Sequence, residues 1–339
     1  MKKILSVLLV LTLVFAFGAI ASADEATELT KLGKTYTVIG SDAIDAPVET
    51  LEFEIVADEG NPDGTLITLG SDEEAPNTVP VDGSASELDI KINLPTYTKV
   101  GIYNYTITEK AGTTQGVTYS EETIAVVVLA EYDYTGIEPA IVATAYAALA
   151  ADAKEKLDEF TNEYGLGTLT VNKTVTGNLA DQDKLFTIKV TLEAEEGLNV
   201  NSDITVFGGS DTSNAQTIEG AWTGSKEITI KLKHGETVTI ADIPAGISYT
   251  VEEDASHLIK GDAPTPEELN GEEGYKVTYT DETGEIEADD TAEAKIVNEK
   301  KTEIQTGIVL DSLPYILLAV LAIAAVAVLI IRKRRYSEE

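Results

Sequence analysis

The 339-residue chain contains no cysteine, which excludes disulfides, thiol nucleophiles and thiolate metal sites. Histidine is nearly as scarce. His234 and His257 stand apart with no flanking ligands at zinc-site spacing, so no metal site is expected. Glycine-rich phosphate loops and nucleophile elbows are missing too, which argues against a turnover enzyme and implies no cofactor. Basic residues number 24 against 59 acidic ones, for a formal net charge of -35. Phosphate recognition needs clustered Lys and Arg, so nucleic acid is not expected as a partner. The acidic run at 281–290 lacks the spacing of an EF-hand loop and reads as solvated. The lone tryptophan, Trp222, reads as core or edge packing.

Long apolar runs are present, one at each end. Lys2 and Lys3 precede an apolar stretch over 4–20 and then Ala21-Ser22-Ala23, the pattern of a secretory signal peptide spanning residues 1–23. Near the other end, 313–331 is long and apolar enough for a transmembrane helix, and Arg332-Lys333-Arg334-Arg335 follows it directly. That basic cluster would stay on the cytoplasmic side. The body of the chain is therefore expected outside the cell, held at the membrane by its C-terminal helix. Cleavage at both ends would remove six basic and three acidic residues and leave the exported part at -38.

Just before the C-terminal span stands Glu303-Ile304-Gln305-Thr306-Gly307. A Thr-Gly pair, an apolar span and a basic tail, in that order, resemble the wall-sorting signal read by sortase transpeptidases. The resemblance implies cleavage between Thr306 and Gly307, with Thr306 passed to an amine of peptidoglycan or of a neighbouring subunit. The segment departs from the common L-P-x-T-G form, with Glu303 and Ile304 in place of Leu and Pro.

Between the ends, short runs rich in Thr, Val, Ile and Tyr alternate with Gly, Asp, Asn and Pro, which predicts an all-β fold. Strands are expected at 34–39, 51–56, 102–108, 123–129, 169–175, 186–192, 227–232 and 248–252. The alanine-rich stretch 139–160 has helix propensity. We read it as a strand at 140–149, a loop at 150–156 and a strand at 157–164. The span is long enough for two domains, expected at 24–165 and 168–300, with 301–339 as the sorting segment.

Set against itself, the chain repeats. Lys34-Thr35-Tyr36-Thr37-Val38 matches Lys173-Thr174-Val175-Thr176, Tyr105-Thr106-Ile107-Thr108-Glu109 matches Tyr249-Thr250-Val251-Glu252-Glu253, and Phe160-Thr161-Asn162 matches Ile296-Val297-Asn298. Alternate residues of a strand share a face. Lys34 therefore lies with Leu32 and Tyr36, Glu109 with Tyr105 and Ile107, and Asn162 with Phe160 and Tyr164. The second half repeats this: Lys173 with Leu169 and Val171, Glu253 with Tyr249 and Val251, and Asn298 with Ile296. Each half turns one Lys, one Glu and one Asn toward its apolar side.

Burial disfavours the charged forms, lowering a lysine pKa and raising that of a glutamic acid. A neutral amine is a nucleophile, and a neutral carboxylic acid can polarise a carbonyl and move protons. Beside a carboxamide, these are the parts for amide exchange: the amine attacks, ammonia leaves, and an isopeptide bond remains.

The segments TVNKTVTGN, YTITE, YTVEE and FTNEY resemble those of the streptococcal pilin isopeptide-linkage domain, an Ig-like β-sandwich family related to Cna-B. The resemblance covers both repeats and implies two tandem sandwiches, with Lys34 bonded to Asn162 under Glu109 and Lys173 to Asn298 under Glu253. It also implies a solvent-exposed lysine that accepts Thr306 of the next subunit, for which Lys154 or Lys156 is the candidate, Lys154 preferred. Two functions remain open at this point: a pilus backbone subunit polymerised by a sortase, or a wall-anchored adhesin or basal subunit binding a host or matrix partner.

Overall fold

The computed structural model describes residues 28–301 apart from 73, 137, 151–155 and 255–273, and near the C-terminus 318–319, 321–323 and 326. Thr, Val, Ile and Tyr recur at every second position, which suits a pleated surface with one buried face. Strands accordingly dominate the described residues. The opening strand, Lys31–Ile39, buries Leu32, Lys34 and Tyr36 and turns Lys31 and Thr37 to solvent. The stretch that wavered between helix and strand forms a strand, Ala140–Ala148, at the edge of its sheet. No helix among the described residues is long and apolar enough to cross a membrane. The expected apolar run at 4–20 lies outside the described residues, as does most of 313–331.

Two hydrophobic cores follow one another along the chain. In the first, the opening strand lies between Glu87–Asn93 and the long strand Glu159–Thr176. A five-stranded sheet in the order Thr78–Asp82, Val48–Ala57, Gly101–Lys110, Thr123–Asp133, Ala140–Ala148 packs against it. Leu32, Phe53, Tyr103, Ile107, Val126 and Phe160 fill the space between. In the second, the far half of the long strand lies between Thr237–Pro244 and the closing strand Thr291–Glu299. Its facing sheet runs Ser225–Leu232, Phe186–Glu193, Ser248–Glu253, Thr283–Glu285. Leu169, Val171, Ile188, Val190, Val251 and Ile296 belong to that core.

The passage between the cores departs from the sequence-based expectation. Strands 157–164 and 169–175 were expected to be separate, with the two domains meeting at Gly165–Gly167. Instead both glycines lie inside one 18-residue strand that serves both cores. The glycines permit close approach here. A Cβ on Gly165 would sit 2.8 Å from Ala288 Cβ, and one on Gly167 only 2.3 Å from the Glu287 carbonyl oxygen. Backbone bonds stitch the passage on both sides: Gly165 N–H donates to Gly116, Ala245 N–H to Gly165 and Asp289 N–H to Leu166, each at 2.9 Å. Gln115, buried, reaches from the first half into the second. Its Nε2 donates to the Ala245 carbonyl (2.8 Å), and its Oε1 accepts from Glu195 N–H (3.0 Å).

Candidate functional site

Strand register brings the lysine and asparagine of each half together. In the first half the opening and long strands run parallel with Lys34 opposite Phe160, so Asn162 lies two residues further along on the same face. In the second half Lys173 lies opposite Ile296 and Asn298 is again two residues on. The stagger is identical. The glutamates come from elsewhere: Glu109 from Gly101–Lys110 and Glu253 from Ser248–Glu253, both in the facing sheets. Each cluster therefore bridges the two layers of its core.

One carboxylate holds both partners. Lys34 Nζ donates to Glu109 Oε2 at 2.8 Å and Asn162 Nδ2 to Glu109 Oε1 at 2.7 Å. Lys173 Nζ donates to Glu253 Oε2 and Asn298 Nδ2 to Glu253 Oε1, each at 2.6 Å. The side chains of both ion pairs are 0% exposed. Taking each ion out of water costs several kcal/mol, so these pairs are a poor source of stability in themselves. Burial holds the Lys34 amine below the usual lysine range, against the opposing pull of Glu109. It brings Lys173 from 10.5 down to about 8, against the charge of Glu253. A ring lies under each ammonium, Tyr36 at 5.1 Å from Lys34 and Phe186 at 4.6 Å from Lys173.

The carboxamide orientation differs from the expected contact between acid and carbonyl oxygen. Asn162 Oδ1 faces away from Glu109 and accepts from Ser120 N–H at 2.8 Å. A backbone N–H can only donate, so in the first half this bond decides which end of the amide is oxygen. The amide nitrogen, the leaving group in an exchange, therefore rests on the carboxylate. Sequence reasoning missed Ser120 because a main-chain donor has no residue signature. It missed a third carboxylate for a related reason. Glu49 accepts from the hydroxyls of Tyr36, Tyr119 and Thr114, three contacts that only the folded chain assembles.

With that geometry in view, comparison with known proteins places the chain. Residues 28–165 match the family described as "Spy0128-like isopeptide containing domain". This match supports a streptococcal pilin isopeptide domain in the first half of the chain. Residues 167–300 match a second family, described as "Domain of unknown function (DUF7601)". The chain is 26% identical over 256 residues to a pilin of Streptococcus pyogenes serotype M1, covering 75% of this chain and 72% of the relative. Among solved structures, the major pilin protein (T3.2) of Streptococcus pyogenes matches with a TM-score of 0.50 at 19% identity, over 83% of this chain and 100% of that one. The major pilin of Streptococcus pyogenes matches with a TM-score of 0.48 at 21% identity, over 81% and 99%.

The remaining expected residues fall as follows. Lys156 is exposed and precedes the long strand by three positions. Lys154, Thr306, Gly307 and His257 lie outside the described residues. His234 Nδ1 accepts from Val175 N–H at 3.0 Å, a bond that fixes the strand carrying Lys173. Trp222 is half-buried and packs against the second core.

Proposed function

We propose that this chain is a structural pilus subunit of the Gram-positive cell surface, whose two halves are each closed by a Lys–Asn isopeptide bond formed without an enzyme. The observation that carries the reading is the doubled cluster: in each half a buried lysine and asparagine are held on the two oxygens of one carboxylate. The chemistry balances with the groups present. Lys Nζ passes a proton to the Glu carboxylate along their hydrogen bond, and the amine attacks Asn Cγ. Glu gives this proton to Nδ2 and takes the second proton from the attacking nitrogen; the C–Nδ2 bond breaks, and the departing ammonia carries that second proton away as ammonium, which leaves the carboxylate as it began. Glu109 and Glu253 are thus the catalytic groups of single-turnover reactions.

Residues 1–23 serve as the export signal in this reading, and 24–165 and 168–300 are two Ig-like sandwich domains in tandem. Residues 301–339 form a sorting segment whose helix at 313–331 holds the precursor in the membrane. A sortase then cleaves after Thr306 and joins it to a lysine of the next subunit, Lys154 or Lys156, or finally to peptidoglycan. Tension entering at the N-terminus would cross from Lys34 to Asn162, follow the long strand to Lys173, and cross again to Asn298. The loops between the crosslinked residues would bear no load.

Two measurements address the two parts of the proposal. The purified protein should weigh two ammonia molecules less than its sequence requires, and wall extracts should give a high-mass ladder on denaturing gels that collapses when Lys154 and Lys156 are replaced. The full sequence mass refutes the crosslinks; a single band in place of the ladder favours a monomeric wall-anchored adhesin.

The lowered pKa of Lys173 makes a further prediction. An Asn298→Ala chain keeps a free amine, with a pKa of about 8 folded and 10.5 unfolded. Between those values the unfolded state binds more protons, so the stability of this variant rises as pH increases from about 8 to 10.5. Crosslinked wild type has an amide at Lys173 and lacks this contribution. Denaturant titrations of both proteins across that window should therefore converge; a constant or widening gap contradicts the assignment.

A further inference from the structure

We infer that the main-chain N–H of Ser120 is the oxyanion donor for closing the first crosslink, and that the second half, where no described residue supplies such a donor, closes its crosslink more slowly. The inference rests on the isopeptide reading and adds to it a group that no side-chain pattern reveals.

Attack by Lys34 on Asn162 Cγ moves negative charge onto Oδ1, and Ser120 N–H already points at that atom from 2.8 Å within a buried site. A donor aimed beforehand at a developing oxyanion, in a place that water does not reach, needs no reorganisation when the charge forms. The fold sets the aim. The short strand Val117–Thr118 pairs with the long strand at Glu163 and Tyr164 and then stops. The chain turns over the Asn162 carboxamide, and Ser120 Oγ steadies the turn by accepting from Glu122 N–H at 3.3 Å. With Oδ1 held by Ser120, Nδ2 is left on Glu109, which receives the amine proton and delivers it to the leaving nitrogen.

The second half is built differently at this point. The strand beside Asn298, Lys276–Thr280, stays in register with the closing strand past the asparagine, with Val277 opposite Asn298 and Lys276 opposite Glu299. Asn298 Oδ1 is buried and meets no donor among the described residues. The two clusters therefore match in nucleophile, acid and leaving group and differ in how the carbonyl oxygen is held.

The test is a time course of the full chain in cell-free synthesis, with each crosslink followed separately by peptide mass spectrometry. In the unmodified chain, Lys34–Asn162 should close ahead of Lys173–Asn298. Replacing Ser120 by its α-hydroxy acid turns that one amide into an ester and deletes only the N–H. Closure at Asn162 should slow by about 100-fold. Ser120→Ala, which keeps the N–H, should close at the unmodified rate. Closure at Asn298 in the same ester molecules reports that the chain has folded and should not change. An ester chain that closes Lys34–Asn162 at the normal rate overturns the assignment, as does a second bond that forms first. An unmodified chain that forms neither bond ends the isopeptide reading itself, a separate and recognisable result.

Discussion

An Asn162→Ala chain should melt on the order of 15 °C below wild type, and its mass should fall short of its own sequence by one ammonia, lost at the second cluster. A crosslink across a loop of well over 100 residues removes about 4–5 kcal/mol of unfolded-state entropy in the loop-closure model. For a domain of this size, each kcal/mol shifts the midpoint by about 3–4 °C. Asparagine is the informative residue to remove. The Lys34–Glu109 ion pair survives the change, so no lone buried charge adds its own penalty. Glu109→Ala would confound the two effects, because Lys34 would lose its partner in a site that is 0% exposed. Calorimetry with intact-mass analysis separates the cases. A variant that melts within a few degrees of a crosslinked wild type would show that the covalent clamp contributes little.

Gly167→Ala should lower stability by about 3 kcal/mol, a large effect for a single added methyl group. The new Cβ would lie 2.3 Å from the Glu287 carbonyl oxygen and 2.7 Å from Ile286 Cγ2. The first of these is backbone and cannot swing aside. Thr168 N–H donates to Asp290 at 3.0 Å next door, so relief of the clash would pull on the pairing that aligns the long and closing strands. That pairing sets the stagger of Lys173 and Asn298, and second-half crosslinking should fall along with stability. Gly64→Ala is the control, since an added Cβ there meets nothing within 4 Å. Equal denaturation midpoints for the two variants would show that the passage between the cores yields more easily than its contacts imply.

The two-residue period of a strand is a local property, and much of the site was legible from it. Parity alone turned Lys34, Glu109 and Asn162 inward, with Lys173, Glu253 and Asn298 after them, and all six are buried. The all-β character was equally local, since β-branched and aromatic residues between turn formers need no distant partner to declare themselves. The passage at 165–167 was not legible. Two glycines read as a junction between domains until the crowding of Glu287 and Ala288 shows that they allow contact.

The sequence by itself determined which polar side chains face the interior, because alternation along a strand depends only on neighbours in the chain. Tertiary structure alone decided that one carboxylate from a facing sheet reaches both a lysine and an asparagine on adjacent parallel strands. It also decided that Asn162 offers its nitrogen to Glu109 and its oxygen to Ser120 N–H. Those distances depend on strand register, layer spacing and where a short strand stops, each set by pairings between residues far apart in the chain.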